Sequence, residues 1–177
     1  GGRAVSRMFE IFEEIGVIDE NLYDVVIFDV LGDVVCGGFA APMRSAFAPK
    51  VVIVLSEELA SAYAGNNIAK GVKNYLDNGV CLAGVVLNIR DNQADLSPIK
   101  RFVKALDTEI LGIIPRDRKI QEAEIESCSV LEYAPDSAAS KIIMKLVEKL
   151  QKIDPAKCPA PASIDLLTLR RMMQGKN

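Results

Sequence analysis

Residues 50–88 read "KVVIVLSEELASAYAGNNIAKGVKNYLDNGVCLAGVVLN", and this stretch decides the fold. Two nearly unbroken apolar runs, 50–56 and 81–88, flank a segment whose apolar side chains recur at helical spacing, residues 57–77. Strands that are apolar throughout are typical of parallel sheets, because helices cover both faces of such a sheet. The stretch therefore predicts a strand–helix–strand unit.

The same alternation continues on both sides of this unit. Residues 24–28 and 109–115 predict two further strands. Helices are predicted over 3–15, ending at Gly16, and from residue 97, with Ser97 as the cap and Pro98 in the first helical position. A last long helix is predicted from one apolar stripe: Ala139, Ile142, Ile143, Leu146, Val147 and Leu150. The fold class is α/β, a mostly parallel sheet with helices on both faces.

Ligands of open α/β sheets bind beyond the carboxyl ends of the strands. The loops predicted at that edge, which we call the rim, are 29–38, 56–58, 88–92 and 115–121. The polar and glycine-rich residues of the chain concentrate there, so the rim is the predicted binding site.

Composition narrows the classes of function. The 177 residues carry a net charge of −3, which argues against nucleic acid as a partner. The absence of histidine excludes imidazole catalysis and histidine-ligated metals. No apolar run is long enough to cross a bilayer and no signal peptide is evident, so a cytoplasmic location and no membrane partner are expected.

The rim segment after the first predicted strand places Asp29, Asp33 and Cys36 close together, with Gly37 and Gly38 following the thiol. An acid at a strand end orients magnesium-bound water in P-loop nucleotidases, but it also caps ordinary turns. Exposed glycine N–H groups beside a cysteine suit an iron–sulfur ligand, whereas the alternative is a packed cysteine in a glycine turn. The residues alone leave both pairs of alternatives open.

The stretch "DVLGDVVCGGFA" (29–40) resembles the switch II segment of the nitrogenase iron protein family, which includes the electron donors of protochlorophyllide reductase and of the F430 cyclase. The resemblance covers roughly residues 1–150, through "GGRAV" (1–5), "YAGNNIAKG" (63–71), "VVLNIRDN" (85–92) and "IIPRDRKIQEAEI" (113–125). It implies a P-loop NTPase-like fold and an ATP-dependent oxidoreductase component. Such a protein is a homodimer that delivers electrons to a partner reductase such as nitrogenase.

The resemblance also implies roles for individual residues. Cys36 would be a ligand of one [4Fe–4S] cluster shared between two subunits, and Asp29 and Asp33 would act in MgATP hydrolysis and couple it to the cluster. Arg3 would lie beside the cluster, and Arg44 would face the partner protein. The adenine and ribose would be bound by Asn88, Pro115, Arg116, Asp117, Gln121 and Glu124.

The chain departs from the family pattern in one respect. No G-x-x-x-x-G-K-[ST] phosphate loop occurs, and the first cluster cysteine of the family would precede Gly1. We therefore expect the C-terminal part of an iron protein that lacks the P-loop and the first strand and is inactive alone. Residues 1–153 would form the nucleotide and cluster domain, and 154–177 a proline-rich linker with a helical tail. The subfamily stays open.

Two other readings compete with an electron donor. The chain could be a nucleotide switch of the related partitioning and cluster-carrier ATPases, in which Cys36 has no redox role. It could also be a scaffold that binds a partner through the tail helix around Leu166, Leu169 and Met173. The relatives in the first reading share the aspartate-ended strand but not "GDVVCGGF", which favours the electron donor.

Overall fold

The structure is a computed structural model. It describes residues 7–8, 11–12, 14–17, 22–30, 32, 40–44 and 47–175. Three parallel strands form one sheet in the order β1-β2-β3, namely β1 (Lys50–Leu55), β2 (Cys81–Asn88) and β3 (Ile110–Ile114). Lys50 pairs with Cys81 and Asn88 pairs with Ile114, so the three carboxyl ends lie along one edge.

Helices connect and cover the strands. They are α1 (Ala41–Arg44), α2 (Leu59–Lys73), α3 (Ser97–Ala105), α4 (Arg118–Ile125), α5 (Val130–Tyr133), α6 (Ala138–Lys152) and α7 (Leu166–Met173). Two 3₁₀ turns, Leu76–Asn78 and Pro155–Lys157, precede β2 and follow α6. Four helices begin with a side-chain cap: Asp117, Ser129, Ser137 and Asp165 accept backbone N–H groups of the first turn.

The central strand carries the core. Residues 81–87 are all buried, and because successive side chains point to opposite faces, both faces of the sheet are covered. α2 packs on β1 and β2, and α6 packs on β3, where Ile142 and Leu146 lie over Gly112. Phe102, Ile99 and Val103 of α3 are essentially inaccessible to solvent.

The tail folds back onto this core. Leu169 of α7 is fully buried against α2 and α3. The buried Asn66 side chain donates to the Ile164 carbonyl and accepts the Ile164 N–H, each at 2.9 Å. The Ala162 N–H also donates to the Leu106 carbonyl at 3.0 Å. The residues before and within α7 are therefore fixed by polar and apolar contacts together.

The strands predicted at 50–56, 81–88 and 109–115 are confirmed to within a residue or two. The strand predicted at 24–28 is wrong: these residues have no strand structure, and Val25 and Ile27 are 64% and 84% exposed. An apolar run becomes a strand only where a neighbour takes its backbone hydrogen bonds. Among the described residues, no strand lies beside this run.

The start of α3 also differs from the prediction. Ser97 is the first helical residue and Leu96 is the cap, so Pro98 stands in the second position. Asp95 explains the shift, because its carboxylate accepts the Ser97 N–H at 2.9 Å and supplies the acceptor that was assigned to Ser97. At the amino end, Gly16 has φ +64° after helical residues at 11, 12 and 14, in agreement with the predicted helix end.

Within the described part of the chain, no helix has both the length and the apolar character needed to cross a membrane.

Candidate functional site

The rim brings Asn88 close to the loop after β3. Asn88 ends β2 and pairs with Ile114, which places it beside Pro115 and Arg116. The Asn88 side chain is exposed and forms no hydrogen bond with any other described residue. An exposed amide at a strand end both donates and accepts, which is the chemistry that recognises a nucleobase edge.

Glu57 fixes the loop that follows Asn88. Its carboxylate accepts the Arg90 N–H at 3.1 Å and the Asp91 N–H at 2.9 Å. Partial burial raises the pKa of Glu57, but the hydrogen bonds from Arg90 and Asp91 outweigh burial and hold this pKa below its ordinary value. Glu58 adds an exposed ion pair with the Arg90 guanidinium at 2.9 Å.

Asn92 joins this loop to the loop after β3. Its amide nitrogen donates to the Arg116 carbonyl at 3.0 Å, and its amide oxygen accepts the Arg116 N–H at 2.9 Å. Two reciprocal bonds fix both the distance and the orientation of the two backbones. Glu57 and Asn92 therefore tie the loops after β1, β2 and β3 into one unit.

Asp117, Gln121 and Glu124 lie at α4. The Asp117 carboxylate caps the helix by accepting the Lys119 N–H at 2.9 Å, and its second oxygen accepts the Ala139 N–H at 3.4 Å. Gln121 and Glu124 are exposed on the helix. Asp117 thus has a structural role in orienting α4, whereas the other two side chains point to solvent.

The cluster segment is largely outside the described residues. Asp29 is exposed and lies in irregular backbone, and the predicted sites Arg3, Asp33 and Cys36 fall on residues that the structure does not describe. Among the residues that are described, no three acidic or cysteine side chains come together as a metal site.

Arg44 lies away from the rim. It ends α1, whose Met43 is buried in the core, and its carbonyl accepts from the Asn78 amide at 3.4 Å. Asn78 belongs to the turn before β2, so Arg44 lies near the amino ends of the strands. The residues predicted to bind nucleotide and the residue predicted to dock the partner therefore lie at opposite ends of the strands.

The sequence predicts a rim formed by 29–38, 56–58, 88–92 and 115–121, but it predicts no role for Glu57 or Asn92. Their contacts join residues 24 to 34 positions apart, and such pairs leave no periodic signal. The sequence contains one feature that points to Glu57 and Asn92: acidic and amide side chains follow consecutive predicted strands.

Two solved structures share this architecture. The cell division ATPase MinD of Pyrococcus furiosus superposes with a TM-score of 0.64 at 20% identity, covering 87% of this chain and 60% of that one. MinD of Pyrococcus horikoshii, solved with Mg-ADP, gives a TM-score of 0.50 at 23% identity over 59% of this chain and 42% of that one. The chain therefore shares its α/β fold, a parallel sheet covered by helices, with these two proteins.

Residues 1–175 match the model of the 4Fe-4S iron sulfur cluster binding proteins, NifH/frxC family, and the chain belongs to this family. It is 39% identical over 160 residues to nitrogenase iron protein 2 of Methanothermobacter thermautotrophicus, covering 90% of this chain and 59% of that protein. It is 37% identical over 169 residues to the nitrogenase iron protein of Methanospirillum hungatei JF-1, covering 94% of this chain and 59% of that protein. The chain thus spans about three fifths of the length of these relatives.

Proposed function

We propose that this chain is part of an ATP-dependent iron–sulfur electron donor, which passes electrons to a partner reductase such as nitrogenase. The observation that carries the proposal is the family match, because it spans the described rim as well as the Cys36 segment. The donor would act as a homodimer in which two copies of Cys36 contribute to one [4Fe–4S] cluster.

The rim supports the nucleotide part of this proposal. Asn88 offers an exposed amide, and the Arg116 backbone is held beside it by Asn92. These residues fit the base and ribose end of ATP, and Gln121 and Glu124 are exposed on α4, which begins two residues after Arg116. The described residues include no glycine-rich cradle for the β- and γ-phosphates, so this chain would supply one end of the nucleotide site.

The cluster part of the proposal depends on the family's chemistry. Thiolate sulfur is the usual protein ligand of a [4Fe–4S] cluster, and Cys36 with its flanking glycines fits that chemistry. The described cysteines do not: Cys81 is buried, and both Cys128 and Cys158 give their S–H to backbone carbonyls. Asp29 and Asp33 would then transmit the state of the nucleotide to the cluster segment.

The first test measures iron. Both arms of the test use the full-length electron donor, because the present sequence contains neither the phosphate loop nor the first cluster cysteine. Purified without oxygen, that protein should contain iron and acid-labile sulfide, and dithionite should produce the paramagnetic signal of a reduced cluster. Cys36→Ser should remove at least nine tenths of the iron, whereas Cys128→Ser should leave it unchanged. Nucleotide binding without any iron in the wild type would instead favour a nucleotide switch.

A second arm of the test concerns recognition of the adenine base of ATP. Asn88→Ala should weaken ATP binding about 10-fold, because one good base contact is worth roughly 1–2 kcal/mol. Asn74→Ala is the matched control, since Asn74 is an exposed amide just after α2, toward the other edge of the sheet. If calorimetry gave the two variants equal affinity for ATP, Asn88 would not be a nucleotide-binding residue.

A further inference from the structure

Two cysteines that the proposed function does not use lie together at the amino end of the sheet. Cys81 is the first residue of β2 and is 2% exposed, and Cys158 directly follows the turn Pro155–Lys157. The turn packs on β2, and Cys158 is among the groups that raise the pKa of the Cys81 thiol. Both are free thiols.

The pair is accessible from one side. Cys158 is half-buried and lines a cavity of about 500 Å³, together with Leu82, Ala83, Lys104, Lys152 and Pro159. The Cys158 thiol donates to the Asp154 carbonyl at 3.7 Å, a bond that spans the turn Pro155–Lys157. A small molecule that enters the cavity therefore reaches Cys158 before it reaches the buried Cys81.

We propose that Cys81 and Cys158 form a redox-active dithiol site, which a small-molecule disulfide oxidises to an intramolecular disulfide. The packing favours this pair because the turn just before Cys158 lies against β2, whose first residue is Cys81. A bond between them would fasten the segment that leads to α7 onto the first residue of the central strand.

The reaction balances with one small-molecule disulfide. The Cys158 thiolate attacks one of its sulfurs, forming a mixed disulfide and releasing one thiol. The Cys81 sulfur, after losing its proton, attacks Cys158 and releases the second thiol. Two protein thiols are oxidised, one small disulfide is reduced to two thiols, and the two cysteine protons end on those products.

The surroundings of Cys81 determine the rate of the second step, in which the Cys81 thiolate attacks the mixed disulfide at Cys158. Burial raises the pKa of the Cys81 thiol to about 12, with contributions from Cys158 and Asp154, while Lys50 opposes the rise. Only the thiolate attacks, so closure should accelerate about 10-fold for each pH unit between roughly pH 7 and 9. An exposed cysteine with an ordinary pKa of about 8.5 would gain little further rate near pH 9, whereas closure through Cys81 should still accelerate there.

The test uses the purified protein and oxidised glutathione. After incubation at pH 7 or pH 9, free thiols are blocked with N-ethylmaleimide, and the unreduced digest is analysed by mass spectrometry. We expect the cross-linked Cys81–Cys158 peptide, formed faster at pH 9. We also expect the Tm to rise by roughly 5–10 °C, reversed by dithiothreitol, because the link closes a long loop.

Three variants make the result decisive. Cys128→Ser, which removes the other half-buried thiol, should keep the cross-link and the Tm rise. Cys158→Ser should lose both, and Cys81→Ala should trap glutathione on Cys158. The proposal is overturned if wild-type protein accumulates only glutathionylated Cys158 at pH 9, stays unmodified, or cross-links through Cys36 or Cys128.

Discussion

Glu57 holds the rim through backbone bonds, and its removal should be measurable. Glu57→Gln replaces one of two acceptor oxygens by an NH₂ group that faces an N–H. We expect the free energy of unfolding in urea to fall by about 1–2 kcal/mol. Glu58→Gln is the control, because its exposed ion pair with Arg90 should contribute less than about 1 kcal/mol.

The same residue gives a pH signature. A carboxyl whose folded pKa is lowered contributes stability above its unfolded pKa and loses that contribution as pH falls through the folded pKa. The stability difference between wild type and Glu57→Gln should therefore be full above about pH 5 and shrink below about pH 4. A difference that stays constant from pH 7 to pH 3 would show that the charge of Glu57 is not involved.

At the scale of elements, two register shifts in the sheet lie beside each other. The pairing of β1 with β2 skips Ala83, and the pairing of β2 with β3 skips Leu111. Leu111 packs directly over Gly84, which has φ +151°. A Cβ on Gly84 would lie 2.5 Å from the Leu111 Cγ, so only glycine fits beneath this side chain.

Gly84→Ala should therefore destabilise the protein by roughly 2–4 kcal/mol, because overpacking adds to backbone strain. Gly112→Ala on the neighbouring strand is the matched control. Its added Cβ would meet Ile142 at an ordinary 3.5 Å, so we expect a change below about 1 kcal/mol. Similar losses for both variants in thermal unfolding would contradict the proposed contact.

The elements differ in how far the sequence predicts them. The strands at 50–56, 81–88 and 109–115 are correctly predicted. A strand that is buried on both faces is a continuous run of apolar residues, and such a run is recognisable in the sequence. Residues 24–28 carry the same signature, yet they lack a partner strand in the described part of the chain. The register shifts and the bonds of Glu57 and Asn92 depend on residues distant in sequence, which no local pattern contains.

At the scale of the whole molecule, the tail depends on one buried amide. Asn66→Ala leaves the Ile164 N–H and carbonyl without their partners, which should cost about 2–3 kcal/mol and speed tryptic cleavage after Lys157. Asn67→Ala gains the same helix propensity and removes no such bonds, so it should be neutral or slightly stabilising. Equal protease sensitivity of the two variants would mean that Asn66 does not hold the tail.

The strand order also bears on synthesis at the ribosome. Each strand pairs with the one made just before it, so the sheet can assemble progressively as the chain emerges. α7 then closes over α2, which was translated about a hundred residues earlier. A nascent chain that stalls before Ile164 would expose the surface meant for Leu169, and we expect chaperones and quality-control proteases to recognise that unfinished core.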